Sequence, residues 1–241
     1  MRQRVYQHLP MEELKSNFEA ILSSGYSVSL FTDWLNNEVS QVWIKSKSGA
    51  ANEVTSQDYY GSKAATKDLH PIEALSAEHC TAQLGLDGPW YERMPHFKMG
   101  FTPSSGEELQ AEYFVPFHNG LDAMLAIEKK RDLIYPQLMI SEIRTIAADT
   151  FWLSPCYNQM CLSIHFTLKP NWEEVRKILP VIEQELAPFQ VKPHWGKLFT
   201  IDPKTLAARY NKMQDFIHLM KTLDPGGKFR NNFLDTYIYS S

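Results

Sequence analysis

Apolar positions along this chain switch between a spacing of three or four and a spacing of two. Residues 11 to 23 carry Leu14, Phe18, Ile21 and Leu22 at helical spacing, with Pro10 ahead and Gly25 behind as start and stop signals, and predict an amphipathic helix. Tyr26 to Phe31 alternates Tyr26, Val28 and Leu30 against Ser27 and Ser29, and Gln41 to Lys45 holds Val42, Trp43 and Ile44, so two strands follow. A helix ahead of strands implies α+β layering. Residues 46 to 105 have Gly, Pro, Ser and Asp punctuation and no sustained period beyond a short helix at Ile72 to Glu78. So long a stretch is either a functional excursion or surface that packs on something outside the chain.

Regularity returns at Leu109. Strands are expected at Glu112 to Pro116, Leu138 to Thr145 and Met160 to Leu168, with a helix at Leu121 to Lys130. A further helix begins at Asn171, with Glu173 and Glu174 in its first turn where the helix dipole favours them, and Pro180 is expected to kink or split it. Leu206 to Leu219 reads as a helix with Leu206, Tyr210, Met213, Phe216, Ile217 and Met220 inward, ended by the turn Asp224-Pro225-Gly226-Gly227.

Three short words carry most of the chemistry: Ser141-Glu142-Ile143-Arg144, Ser163-Ile164-His165-Phe166-Thr167 and His194-Trp195-Gly196-Lys197. The first two read as strands that each turn a polar row to one side, while Ile143, Ile164, Phe166 and Leu168 on the opposite side suit a core. As neighbours, the two strands would gather a carboxylate, a guanidinium, an imidazole and hydroxyls on one sheet face, a floor for a polyhydroxylated ligand. Taken alone, Glu142 and Arg144 also suit a surface ion pair worth under about 1 kcal/mol, and His165 a satisfied core histidine. Gathered titratable groups cost stability unless a ligand or cofactor uses them, which raises the functional reading. In the third word Gly196 permits a bend that aims Lys197, although an ordinary turn with an exposed Lys fits equally well.

Composition narrows the alternatives. The 241 residues, 44% hydrophobic, suffice for one large domain with a sizeable core. A net charge of -4 without a basic stripe argues against nucleic acid and anionic membrane surfaces. No run approaches the roughly 20 apolar residues that cross a bilayer. Cys80, Cys156 and Cys161 lack metal-site spacing and read as small buried hydrophobes, so no metal is expected; with no apolar signal region after Met1, a reducing cytoplasm fits best. Trp34, Trp43, Trp90, Trp152, Trp172 and Trp195 are too dispersed for a sugar-stacking platform, and there is neither a GxGxxG nor a P-loop.

The segments Tyr26-Ser27-Val28-Ser29-Leu30-Phe31-Thr32-Asp33-Trp34, Glu112-Tyr113-Phe114-Val115-Pro116, Ser141-Glu142-Ile143-Arg144, Pro193-His194-Trp195-Gly196-Lys197 and Asp224-Pro225-Gly226-Gly227-Lys228-Phe229-Arg230-Asn231 occur in an order that resembles the FAD-dependent alditol oxidases. These belong to the sugar-lactone (aldonolactone) oxidase group of vanillyl-alcohol-oxidase-type flavoproteins. The resemblance runs along essentially the whole chain. It implies that residues 1–241 form the substrate, or cap, domain: a large, mainly antiparallel sheet covered by helices on one face, whose last segment, about 224–241, packs toward an FAD-binding domain absent from this chain. That domain, in the same polypeptide or a separate subunit, holds most of the FAD, usually through a covalently linked histidine.

The resemblance also implies roles. Glu142 accepts hydrogen bonds from substrate hydroxyls, and Thr167 and His165 line the polyol pocket, with His165 placed to assist removal of the hydroxyl proton. Arg144 and Lys197 are cations that serve both the substrate and the flavin pyrimidine edge, where hydride arrival leaves negative charge. His194 and Trp195 shape the turn that presents Lys197, which puts His194 on the cofactor side. The implied reaction oxidises the terminal hydroxyl of xylitol or sorbitol, with oxygen as acceptor and hydrogen peroxide as product. The alternatives are an aldonolactone oxidase or dehydrogenase and, from another class, a non-catalytic module that binds polyols or a protein. The isolated chain is expected to be colourless and catalytically silent.

Overall fold

The computed structural model describes residues 1–101 and 107–239; positions 102–106 and 240–241, which include the ends of the irregular 46–105 stretch and of the 224–241 segment, lie outside the described residues. The chain opens with a strand the periodicity does not announce, β1 (Arg2–Pro10). Both its faces are covered: Tyr6 and Leu9 enter the main core and Val5 a second cluster, so no clean alternation marks it. The helix expected over 11–23 is two helices, α1 (Met11–Ser16) and α2 (Phe18–Leu22). They break at Asn17, whose φ of -129° is not helical and whose Nδ2 donates to the Glu13 carbonyl at 3.0 Å. Leu14, Phe18, Ile21 and Leu22 are nevertheless all buried, as their spacing requires.

Strands β2 (Ser27–Thr32) and β3 (Glu38–Ser46) follow, then the short pair β4 (Asp58–Tyr59) and β5 (Ser62–Ala64). After the irregular stretch come β6 (Leu109–Pro116), α3 (Gly120–Glu128), α4 (Arg131–Ile134), β7 (Leu138–Ile146), β8 (Cys161–Leu168), α5 (Trp172–Leu186) and β9 (Lys192–Pro193). Among the described residues one nine-stranded sheet forms in the order β4-β5-β1-β3-β2-β7-β8-β6-β9, antiparallel at every pairing.

One sheet face carries the main core. Ile143, Ile164, Phe166 and Leu168 are buried there, as expected, against Leu14 and Phe18 of the first helices, Met124 and Ile127 of α3, and Leu179 and Ile182 of α5. Pro180 does not split α5: both it and Arg176, whose carbonyl its missing N–H would have met, lie on the exposed side of the helix. The helix expected over 206–219 is two, α6 (Pro203–Ala208) and α7 (Met213–Leu223), whose Leu206, Met213 and Ile217 still enter the core with Tyr210 from the junction. No helix among the described residues is long and apolar enough to cross a membrane.

The opposite face is covered over one half by the irregular segment. Leu69, Cys80 and Phe97 pack on Val5, Phe31 and Trp43, and Gln41 Nε2 donates to the His70 carbonyl at 2.9 Å. The stretch is therefore an excursion that packs on this chain's own sheet. The short helix expected at Ile72 to Glu78 is absent; a single 3₁₀ turn, Ala77–His79, forms instead and is capped by the Ser76 hydroxyl.

Candidate active site

Antiparallel register builds the polar face row by row. Glu142 lies opposite His165, which lies opposite Glu112; Arg144 lies opposite Ser163; and Thr167 lies between Ile140 and Gln110. Strand β2 adds Ser29 opposite Arg144 and Phe31 opposite Glu142. The two strands expected to be neighbours are β7 and β8, and Glu142, Arg144, His165 and Thr167 share one face. Ser141, of the other parity, turns the opposite way and accepts a 2.8 Å hydrogen bond from Trp34 Nε1.

The third word is anchored by β6. The His194 and Leu198 N–H groups donate to the carbonyls of Glu112 and Gln110 at 2.8 and 2.9 Å, which fixes both ends of the turn. Within it, Gly196 N donates to His194 Nδ1 at 3.0 Å, and Trp195 Nε1 donates to the Leu153 carbonyl at 2.9 Å. Gly196 does not adopt a positive φ, and a Cβ there would meet only the His194 ring at 3.4 Å, so backbone hydrogen bonds rather than glycine's freedom aim Lys197.

Lys197 Nζ donates to Glu112 Oε2 at 2.7 Å, Ser163 Oγ donates to Oε1 at 2.6 Å, and Arg144 Nη2 stands 3.6 Å from Oε1. Glu112 is thus the buried anion that holds both candidate cations. Burial pushes its carboxyl up, but the hydrogen bonds from Lys197 and Ser163 outweigh this and hold it below the usual carboxylate range.

Glu142 is held from the other side. His96, delivered by the irregular segment, places Nε2 2.9 Å from Glu142 Oε1, and Arg144 Nη1 lies 3.8 Å from the same oxygen. Burial opposes ionisation of Glu142, yet the His96 contact and the Arg144 charge keep its carboxyl well below the ordinary range. Burial also lowers His96, and it pushes Lys45, behind the His96 ring, down to about 7. His165 is pulled to about 4 by burial and by the Lys197 charge, so at neutral pH it is an uncharged base, with Nε2 3.3 Å from Gln110 Oε1.

The face opens into two cavities. One, of about 170 Å³, is lined by Glu142, His165, Thr167 and Gln110 on the sheet side and by Phe31, His96 and Phe97 on the apolar side. The other, of about 360 Å³, is lined by Glu112, Arg144, His194 and Trp195. Glu142, His165 and Thr167 therefore line one hollow and Arg144 and His194 the other, while Lys197 lines neither and joins the face through its contact with Glu112. Among the described residues no cluster of His, Cys, Asp or Glu suits a metal ion.

Sequence reasoning missed four residues of this face. Glu112 and Gln110 share strand parity, and Lys45 is the lone charge beside Val42-Trp43-Ile44, so all three had a period-two signal. His96 had none, because it arrives from a segment without periodicity.

Comparison with known proteins bears on this arrangement. The family model described as D-arabinono-1,4-lactone oxidase matches residues 104–237, which hold every sequence-selected site residue. This chain belongs to that family. An alditol oxidase of Streptomyces sp. (strain IKD472 / FERM P-14339) is 43% identical over 232 residues, 96% of this chain and 54% of the relative. An L-gulono-1,4-lactone dehydrogenase of Mycobacterium tuberculosis is 27% identical over 142 residues, 57% of this chain and 32% of the relative, and an L-gulonolactone oxidase of Mus musculus is 28% identical over 122 residues, 49% and 27%. The chain spans about half the length of the alditol oxidase it matches. Its relatives are by name oxidoreductases of sugar-derived alcohols and lactones, and the nine-stranded antiparallel sheet is the fold on which this member carries its polar face.

Proposed function

We propose that the chain is the substrate-binding domain of an FAD-linked oxidase that acts on the terminal hydroxyl of an alditol such as xylitol or sorbitol. The observation that carries this reading is the polar face itself: a carboxylate, a guanidinium and an uncharged imidazole line its two hollows, and Lys197 is tied to the same face by Glu112. The identity to an alditol oxidase along almost the entire chain supports the substrate class. The family description and the lactone-oxidising relatives favour a second reading, oxidation of an aldonolactone.

The residues fit a flavin. Arg144 and Lys197 are cations pinned by Glu112, and Arg144 Nε is buried without a hydrogen-bond partner among the described residues. Bound FAD would supply the hydride acceptor. Arg144 and Lys197 would bind its electron-rich edge, with His194 shaping the adjoining wall. Glu142 accepts hydrogen bonds from substrate hydroxyls, and Thr167 lines the same hollow. His165, uncharged at neutral pH, donates from Nε2 to Gln110 Oε1, which leaves Nδ1 as its basic nitrogen to assist removal of the hydroxyl proton. The segment from about 224 onward is assigned to contact with a flavin domain; its exposed Phe229 suits such contact.

The test is flavin reduction by xylitol, sorbitol and L-gulono-1,4-lactone in the complete reading frame containing this chain, together with peroxide release in air. Glu142→Gln should raise KM and lower kcat for the polyol, and Arg144→Ala should mainly slow flavin reduction. Wild-type reduction rates in both variants with a confirmed substrate would sink the site assignment; turnover of the lactone alone would select the second reading.

A further inference from the structure

We propose that Lys45 and His96 form a fixed donor chain behind Glu142, in which His96 is a positioning residue that presents the Glu142 carboxylate to the hydroxyls of the substrate. This deepens the polyol reading above and rests on it for the substrate class.

The geometry fixes the direction of the chain. Lys45 Nζ lies 3.2 Å from His96 Nδ1 and also donates to the Met94 carbonyl. The ionised Glu142 carboxylate has acceptors and no donor, so the ring nitrogen against it must carry the proton, and in the neutral ring Nδ1 is left to accept from Lys45, which can donate as ammonium or amine. Nε2 is the atom 2.9 Å from Glu142 Oε1, so His96 donates to the carboxylate as a neutral imidazole.

The ring has little freedom to leave this orientation. Phe31 and Trp43 meet it edge to face, with centroids 5.4 and 5.2 Å away and interplanar angles of 74° and 84°. The charged groups that face it are Lys45 on β3 and Glu142 and Arg144 on β7, with the Ser29 hydroxyl of β2 3.5 Å from Nε2. The His96 and Arg144 contacts both fall on Oε1 of Glu142, and a carboxylate has about four acceptor sites. Acceptor sites thus remain on the carboxylate for a hydroxyl in the 170 Å³ cavity that Glu142 lines.

An irregular segment that served only to cover Trp43 and Phe31 would need an apolar residue here. It supplies instead a histidine with both nitrogens committed, at the one point where a carboxylate needs a donor. The arrangement keeps Glu142 an anion in a fixed rotamer before substrate arrives, which lowers the cost of ordering it on binding.

Two measurements test this. In this chain labelled with ¹⁵N-histidine, His96 should show the Nε2-protonated neutral pattern at pH 7; the Nδ1-protonated tautomer or an imidazolium there overturns the donor chain. In the complete reading frame, His96→Phe keeps an aromatic ring but removes the donor, and should raise KM for xylitol roughly 10- to 100-fold, the factor set by one charge-assisted hydrogen bond. It should change kcat by less than about threefold, and His96→Gln, which restores an N–H near the Nε2 position, should recover most of the KM. Unchanged KM in a folded His96→Phe variant, beside an active wild type, overturns the positioning role alone. A wild type that turns over no polyol fails the substrate reading, while the tautomer still decides the geometry of the pair.

Discussion

Glu112→Gln keeps the side-chain volume and removes the charge that ties Lys197, Ser163 and Arg144 together. The amide oxygen can still accept from Lys197 Nζ at the 2.7 Å contact while its NH2 donates to Ser163 Oγ at the 2.6 Å one, but it carries no charge against either cation. Removing one partner of a fully buried ion pair costs about 3–5 kcal/mol. Here the Glu112 side chain is 3% exposed but Lys197 is 20% and Arg144 38% exposed, so the two cations regain water and the loss should fall to about 2–3 kcal/mol. Urea unfolding of the chain, followed by tryptophan fluorescence, would read this as a midpoint lowered by roughly 0.7–1 M at a slope of about 3 kcal/mol/M. Lys197→Met supplies the second arm of a double-mutant cycle, with a coupling energy of about 1–2 kcal/mol expected. A coupling under about 0.5 kcal/mol, or a Glu112→Gln midpoint equal to wild type, would refute the view that this carboxylate organises the cations.

Acid should destabilise the fold before it protonates ordinary carboxylates. His165 titrates at about 4 in the native state and at about 6.5 in the unfolded one, and His96 is shifted in the same direction. Between those values the unfolded chain binds protons that the native chain does not, so stability falls as pH drops from about 6.5. Below about 4.5 the depressed Glu112 and Glu142 carboxyls add loss of the same sign, and a Tm that rose on acidification from pH 7 to 5 would contradict the assignment. Gly25→Ala would place a Cβ 2.9 Å from the Lys45 carbonyl oxygen and 2.7 Å from Ile44 Cγ2, and should cost about 1–3 kcal/mol in the same urea assay; no loss would mean that β3 yields freely at this point. Pro180→Ala restores an N–H for the carbonyl of Arg176 and should raise stability by about 1–3 kcal/mol, whereas a lower Tm would show that the proline ring makes contacts worth more than the helix bond.

The strands bearing Glu142 and His165 were legible because a half-buried strand writes its two faces into alternate positions, and Ile143, Ile164 and Phe166 left only one side for the polar row. The helices around Leu14 and Leu206 were legible as apolar spacing, but their breaks at Asn17 and at 209–212 were not, since an amphipathic pattern continues across a short interruption when both pieces pack on one core. Strand β1 went unseen because covering both of its faces erases the alternation. Gly25 looked like a helix stop, whereas its place in the structure is set by how closely it approaches the Lys45 backbone.

The chain's order of residues by itself determined the type of the half-buried strands and amphipathic helices, the family and which polar side chains share a strand face, since each of these follows from local periodicity or from words a few residues long. The tertiary structure alone decided that Glu112 holds Lys197 from 85 positions away and that His96 reaches Glu142 across 46. Such contacts arise from sheet register and from an aperiodic segment folded over the sheet. Local spacing carries no record of either, because pairing across strands is settled only when the shared core closes.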